Sequence, residues 1–160
     1  MTTNLDRTNQ KNTGKTFEHE LDLLFRSLEI RKVARIRKVD PPVRVVGGGF
    51  ARRTIFLPNP FLDYAGVFYS SGRAIFVEAK STSAHRLPIG RSGGVTEEQV
   101  ESLRAWARAG AFVGVLWRYK ASTVFISMKL LDACLDWGDK SLRFEDFRTL
   151  SRVEDFLLPP

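Results

Sequence analysis

Apolar residues first recur at helical spacing. Phe17, Leu21, Leu24, Phe25 and Leu28 fall on one stripe and predict a helix over residues 13–30. Residues 1–11 are polar and aperiodic, which predicts a disordered tail ahead of a domain over 12–160. Residues 33–39 alternate weakly and read as a strand ended by Pro41-Pro42. Gly47-Gly48-Gly49 marks a loop or hairpin tip, and a short strand over 53–57 stops at Pro58-Asn59-Pro60. Denser apolar runs predict strands over 62–69 and 74–80, joined at Ser70-Ser71-Gly72-Arg73. A long loop over 83–95 holds three glycines. Thr96 and Gln99 form a capping box opening a helix over 96–108, with Val100, Leu103 and Ala107 on its inner face. Residues 111–119 and 123–128 read as strands, and 129–136 and 144–150 as short helices. The order predicts an α/β fold with a mixed β-sheet flanked by α-helices.

Three charges interrupt the two central runs: Asp63 in the first, Glu78 and Lys80 in the second. A carboxylate embedded in strand-like sequence needs a partner or a metal, because burying it alone is costly. Strand alternation puts Glu78 and Lys80 on one face and Ile75, Val77 and Ala79 on the other. If the hairpin loop is even (Ser71-Gly72, or 70–73), Asp63 lies opposite Lys80 and diagonal to Glu78. An odd loop turns Asp63 to the other face unless a bulge corrects it. Two carboxylates at that separation suit one hard cation such as Mg²⁺, with the Ala79 carbonyl as a further ligand. Such a cation would polarise a phosphoryl oxygen and acidify a bound water, and Lys80 would offset transition-state charge. An Asp-Glu-Lys ion cluster on an edge hairpin explains the same three residues, and an acid-x-Lys tripeptide alone is near chance frequency.

Net charge narrows the choice. The chain of 160 residues carries +7. Residues 31–53 hold eight bases against the single acid Asp40, so the whole excess lies there and the remainder is neutral. A segregated basic segment beside a candidate site favours phosphate contact over a merely solvated face. Arg35, Arg37, Lys38, Arg44, Arg52 and Arg53 are its candidate DNA-binding residues. Hydropathy offers no membrane span and no secretory signal at the N-terminus. One cysteine, Cys134, excludes an internal disulfide and fits a reducing cytoplasm.

Four segments then carry a family resemblance. Asn12-Thr13-Gly14-Lys15-Thr16-Phe17-Glu18, Asp63-Tyr64-Ala65-Gly66, Phe76-Val77-Glu78-Ala79-Lys80-Ser81-Thr82 and Gln99 resemble, in order, the motifs of RecU-type Holliday junction resolvases. These belong to the PD-(D/E)xK nuclease superfamily. The archaeal Hjc resolvases are similar at Gly14, Glu18, Asp63, Glu78 and Lys80. The resemblance implies a restriction-endonuclease-like sheet, with Asp63 and Glu78 holding Mg²⁺ (Mn²⁺ as the alternative) and Glu18 nearby. It implies Lys80 as the catalytic lysine, Gln99 as a further site residue, and paired nicking of a four-way DNA junction by a homodimer. It casts residues 41–60 as a stalk that engages the junction. Phe61 departs from the small hydroxyl residue often found there, and the stalk is short, so a nuclease acting on duplex DNA and a non-catalytic DNA-binding protein remain alternatives.

Other residues have plainer readings. Gln99 is already explained as a cap. Lys15 suits either a phosphate or solvent, as do Arg86 and Arg91 in the long loop. Gly14-Lys15-Thr16 ends like a phosphate-binding loop, but position 9 is Asn and no strand precedes it. His19 and His85 lack metal-ligand companions and read as surface residues.

Overall fold

The apolar stripe of the first helix is the spine of one half of the core. A computed structural model describes residues 4–41, 43–47, 53–56 and 62–157, with side chains for 14–41, 43–47, 53–55 and 62–157. Helix α1 (Asn4–Ile30) is followed by β1 (Ala34–Lys38), β2 (Val43–Val46), β3 (Arg53–Phe56), β4 (Tyr64–Phe68), β5 (Ala74–Thr82) and β6 (Arg86–Pro88). Then come α2 (Glu97–Arg108), β7 (Phe112–Tyr119), β8 (Ser122–Ser127), α3 (Met128–Asp136) and β9 (Ser141–Arg143). Short 3₁₀ turns at Phe144–Asp146 and Val153–Leu157 close the described chain.

Five strands form the main sheet in the order β1-β4-β5-β7-β8. All its pairs are antiparallel except β5–β7. The mixed sheet flanked by helices is therefore the fold expected from the hydropathy pattern. On one face, Phe17, Leu21, Phe25 and Leu28 of α1 are buried with Ile36, Tyr64, Ile75, Val77 and Leu116. Burying each such side chain stabilises by about 1.5–3 kcal/mol. On the other face, Val100 and Leu103 of α2 join Val113, Val115 and Trp117, and Trp106 stacks on Phe76 with centroids 4.0 Å apart. Adjacent residues of β5 thus serve opposite layers. Gly66 allows β1 to approach β4, since a Cβ there would lie 2.2 Å from the Arg35 carbonyl oxygen.

Three expectations need correction. Helix α1 starts at Asn4 rather than Thr13, so residues 4–11 are helical and not a disordered tail. No Pro or Gly interrupts residues 4–12, and once a packed helix exists each added residue gains a hydrogen bond. Lys15 accordingly sits mid-helix, not at a helix N-terminus. The loop over 83–95 contains β6, which pairs with β9 in a separate ribbon. The helix expected over 144–150 is instead one 3₁₀ turn. Strands β2 and β3 form the expected hairpin of the stalk-like segment, while Arg52 and Gly48-Gly49 lie outside the described residues.

Candidate active site

Strand pairing decides where Asp63 goes. Tyr64 pairs with Val77 and Val67 with Ala74. The Phe68 N–H donates to the Arg73 carbonyl, leaving the four-residue loop 69–72. The loop is even, as the same-face arrangement requires, but is centred one residue earlier than either expected loop. Continuing the register sets Asp63 beside Glu78 rather than opposite Lys80. Gly72, at φ +67°, absorbs the turn.

Four side chains converge there. The Ala79 N–H donates to Asp63 Oδ2 at 3.0 Å, and the Asp63 N–H to Glu78 Oε2 at 3.4 Å. Lys80 Nζ lies 2.8 Å from Glu78 Oε1. Gln99 Nε2 donates to the same Oε1, while Gln99 Oε1 accepts from the Thr96 N–H at 3.0 Å. Gln99 is thus both the cap of α2 and a ligand of the buried carboxylate. The capping box was visible in sequence; its second use depends on α2 landing on the Glu78 face of β5.

Glu78 is 1% exposed. Burial first, then the neighbouring charge of Asp63, pushes its carboxyl up to about 7, although Lys80 pulls the other way. One lysine does not offset two crowded carboxylates in a desolvated site. This is a donor set of hard oxygens with a deficit of positive charge, and it fits a divalent cation. Among the described residues, no three metal-ligating side chains gather.

Glu18 is close but differently engaged. Its carboxylate bonds Lys38 Nζ at 2.5 Å, and its carbonyl accepts from Tyr64 Oη at 3.4 Å. The hydrogen bond from Glu18, and the charges of Glu18, Asp22 and Asp63, hold the Lys38 ammonium above its ordinary range against the effect of burial. Glu18 therefore shares the electrostatic neighbourhood of Asp63 without joining the Asp63–Glu78 pair. Sequence gave no sign of Lys38 as its partner.

The candidate DNA-binding residues divide into paired and open groups. Arg35 and Arg37 both bind Glu29, and Lys38 binds Glu18. Arg44 and Arg53 are exposed and diagonal on one face of the β2–β3 hairpin. Arg86 is exposed and donates to Ser141 Oγ at 3.1 Å. Arg91 lines a cavity of about 570 Å³ with Ile89, Glu97, Glu101 and Lys140. Lys15 is exposed, as are His19 and His85.

The family model RecU, described as Recombination protein U, matches residues 12–153, most of the chain and all four site side chains. The chain belongs to the RecU family. Comparison with curated proteins finds no match. Among solved structures, the RecU-family chain is similar to Archaeoglobus fulgidus Hjc, a Holliday junction resolvase from an archaeal hyperthermophile. That likeness has 18% identity and a TM-score of 0.45, covering 73% of this chain and 74% of that one. No helix of this RecU-family chain, among the described residues, is long and apolar enough to cross a membrane.

Proposed function

We propose that this RecU-family chain is a metal-dependent endodeoxyribonuclease that resolves four-way DNA junctions by paired nicks. The observation that carries the reading is the buried Asp63–Glu78 pair, short of positive charge and flanked by Lys80 and Gln99, in a chain of this family. Asp63 and Glu78, with the Ala79 main chain, would hold Mg²⁺ or Mn²⁺, and Glu18 would approach only by leaving Lys38. When bound, the cation supplies charge neutralisation at the scissile phosphate and an acidified water.

The protein side of the reaction follows from the contacts. The Ala79 amide fixes the Asp63 carboxylate, and Gln99 and Lys80 fix Glu78, so neither acid must reorganise during the reaction. Lys80 is 21% exposed and is the cationic group at the mouth of the site, placed to orient a water and offset charge on the phosphate. Water adds to phosphorus in line and the P–O3′ bond breaks, leaving 5′-phosphate and 3′-hydroxyl ends. Arg44 and Arg53 on the exposed hairpin suit phosphates near the junction centre. Two opposed cuts on a two-fold junction call for a homodimer.

The test is cleavage of a four-way junction beside a linear duplex of the same sequence, with divalent metal and with EDTA. Metal-dependent nicking that favours the junction, and that Glu78→Ala abolishes while DNA binding persists, is the expected result. Equal rates on both substrates would replace the resolvase reading with a duplex nuclease. Binding without any metal-dependent nicking would leave a DNA-binding protein only.

A further inference from the structure

Strands β6 and β9 build a ribbon whose charges are arranged at a cost. Leu87, Leu142 and Phe144 are buried, whereas Arg86 and Arg143 point outward and are exposed. The antiparallel register sets Arg86 directly opposite Arg143. Like charges facing each other across two strands are destabilising. Arg86 donates to the neutral Ser141 Oγ, and Arg143 meets Asp146 at 3.2 Å in an exposed pair, which offsets little in water. Acids are present beyond Arg143, at Glu145 and Asp146, but both lie on the 3₁₀ turn rather than between the two guanidinium groups.

The ribbon is anchored beside the candidate site. Phe144 packs edge-on against Trp117 with centroids 5.1 Å apart, and its N–H donates to the His85 carbonyl at 2.8 Å. Trp117 is the β7 partner of Lys80 in the parallel register, and its indole N–H donates to Thr82 Oγ1 at 2.8 Å. One buried aromatic therefore links the Lys80 end of β5 to the ribbon carrying the opposed arginines. Arg143 lies 57 positions beyond Arg86, and only the strand pairing brings them together.

We propose that Arg86 and Arg143 form a two-guanidinium clamp for a backbone phosphate of DNA, on the Lys80 side of the active site. Each guanidinium presents a planar fork of donors that matches phosphate oxygens. A phosphodiester between them converts the like-charge repulsion into two favourable contacts. Held by a strand pair rather than a loop, the clamp sets the register of a duplex arm relative to Lys80. The proposal rests on the nuclease reading for the identity of the polyanion, and its test needs no cleavage.

Binding of the full chain to a four-way junction and to linear duplex is measured in EDTA across a salt series. Arg86→Ala/Arg143→Ala is compared with wild type and with Lys129→Ala, a loss of charge on exposed α3. The double variant should lower the log–log salt slope by about 2, at roughly 0.9 per phosphate contact, on both DNAs. Arg86→Lys/Arg143→Lys should restore most of the slope, because the charge returns without the fork. If the double alanine variant melts like wild type and its slope equals that of Lys129→Ala, the clamp is wrong. Should it melt lower, the two single alanine variants decide by the same slopes. A wild type that binds but never nicks defeats the nuclease reading and leaves the clamp result standing.

Discussion

Carboxylates meet opposite circumstances on α1 and in the β4–β5 hairpin. On α1, Glu29 has two arginine partners, Arg35 and Arg37, and Glu18 has Lys38. These groups are part-exposed, so water shares in their solvation. In the hairpin, Asp63 and Glu78 share Lys80, and Glu78 has almost no water. The first region has met its own electrostatic needs and the second has not. A site that stays electrostatically unfinished in the folded chain is the one a cation can complete.

The largest expected effect breaks this contrast at its centre. Glu78→Gln or Asp63→Asn should reduce nicking by about three orders of magnitude, the scale of several kcal/mol of lost charge stabilisation. Neither should lower the melting temperature in EDTA, because each removes one of two repelling charges. A variant that keeps its nuclease activity, or that melts well below wild type, would mean the pair is structural.

Proton linkage sharpens the same point. Folded Glu78 titrates near about 7, against an ordinary value of 4.5. Between those values the folded chain binds more protons than the unfolded one, so metal-free stability falls as pH rises from 4.5 to 7. Below the window the contribution is fully present, and above it is lost. A divalent cation competes with that proton, so its affinity should climb through the same window and then level off. Thermal melts at several pH values, with EDTA and with Mg²⁺, read both trends. Metal-free stability that rises across the window would show that Glu78 is comfortably ionised.

Gln99 allows the cap and the site to be separated. Gln99→Ala loses both the bond to the Thr96 N–H and the bond to Glu78, and should cost about 1 kcal/mol of stability as well as activity. Gln99→Glu keeps an acceptor suited to the capping box but replaces the amide donor with a third acid beside Glu78. Its helix should hold in metal-free melts at pH 6, while nicking falls roughly tenfold or more, as for loss of one positioned donor. Equal activity in both variants would make Gln99 a cap alone.

What sequence revealed of this site depended on which physical rule applied. Alternation along a strand is local, so the shared face of Glu78 and Lys80 was legible from β5 alone. Parity also survived the turn, because an even loop keeps Asp63 on that face wherever it is centred. The register did not survive. Nothing in Ser70-Ser71-Gly72-Arg73 distinguishes centres one residue apart, so Asp63 meets Glu78 instead of Lys80. The β6–β9 ribbon was invisible because three-residue strands carry little periodicity and their partners are distant in the chain. The basic segment misled in a related way. Charge counting located Arg35, Arg37 and Lys38, but only the packing of α1 on β1 reveals that they are already paired.

That last correction has the smallest and most discriminating test. Glu29→Gln releases Arg35 and Arg37 without changing the volume of the side chain. Surface ion pairs are worth about 1 kcal/mol or less, so the melting temperature should hardly move. The two freed guanidinium groups sit on the edge strand of the sheet, whose neighbour β4 leads into Asp63. DNA binding should then become steeper in salt, by about 1 in the log–log slope for one added phosphate contact. A clear loss of stability would show that Glu29 organises β1. A steeper slope would mean that the α1 carboxylates restrain a basic surface which, unlike the hairpin carboxylates, has its counter-charge built in.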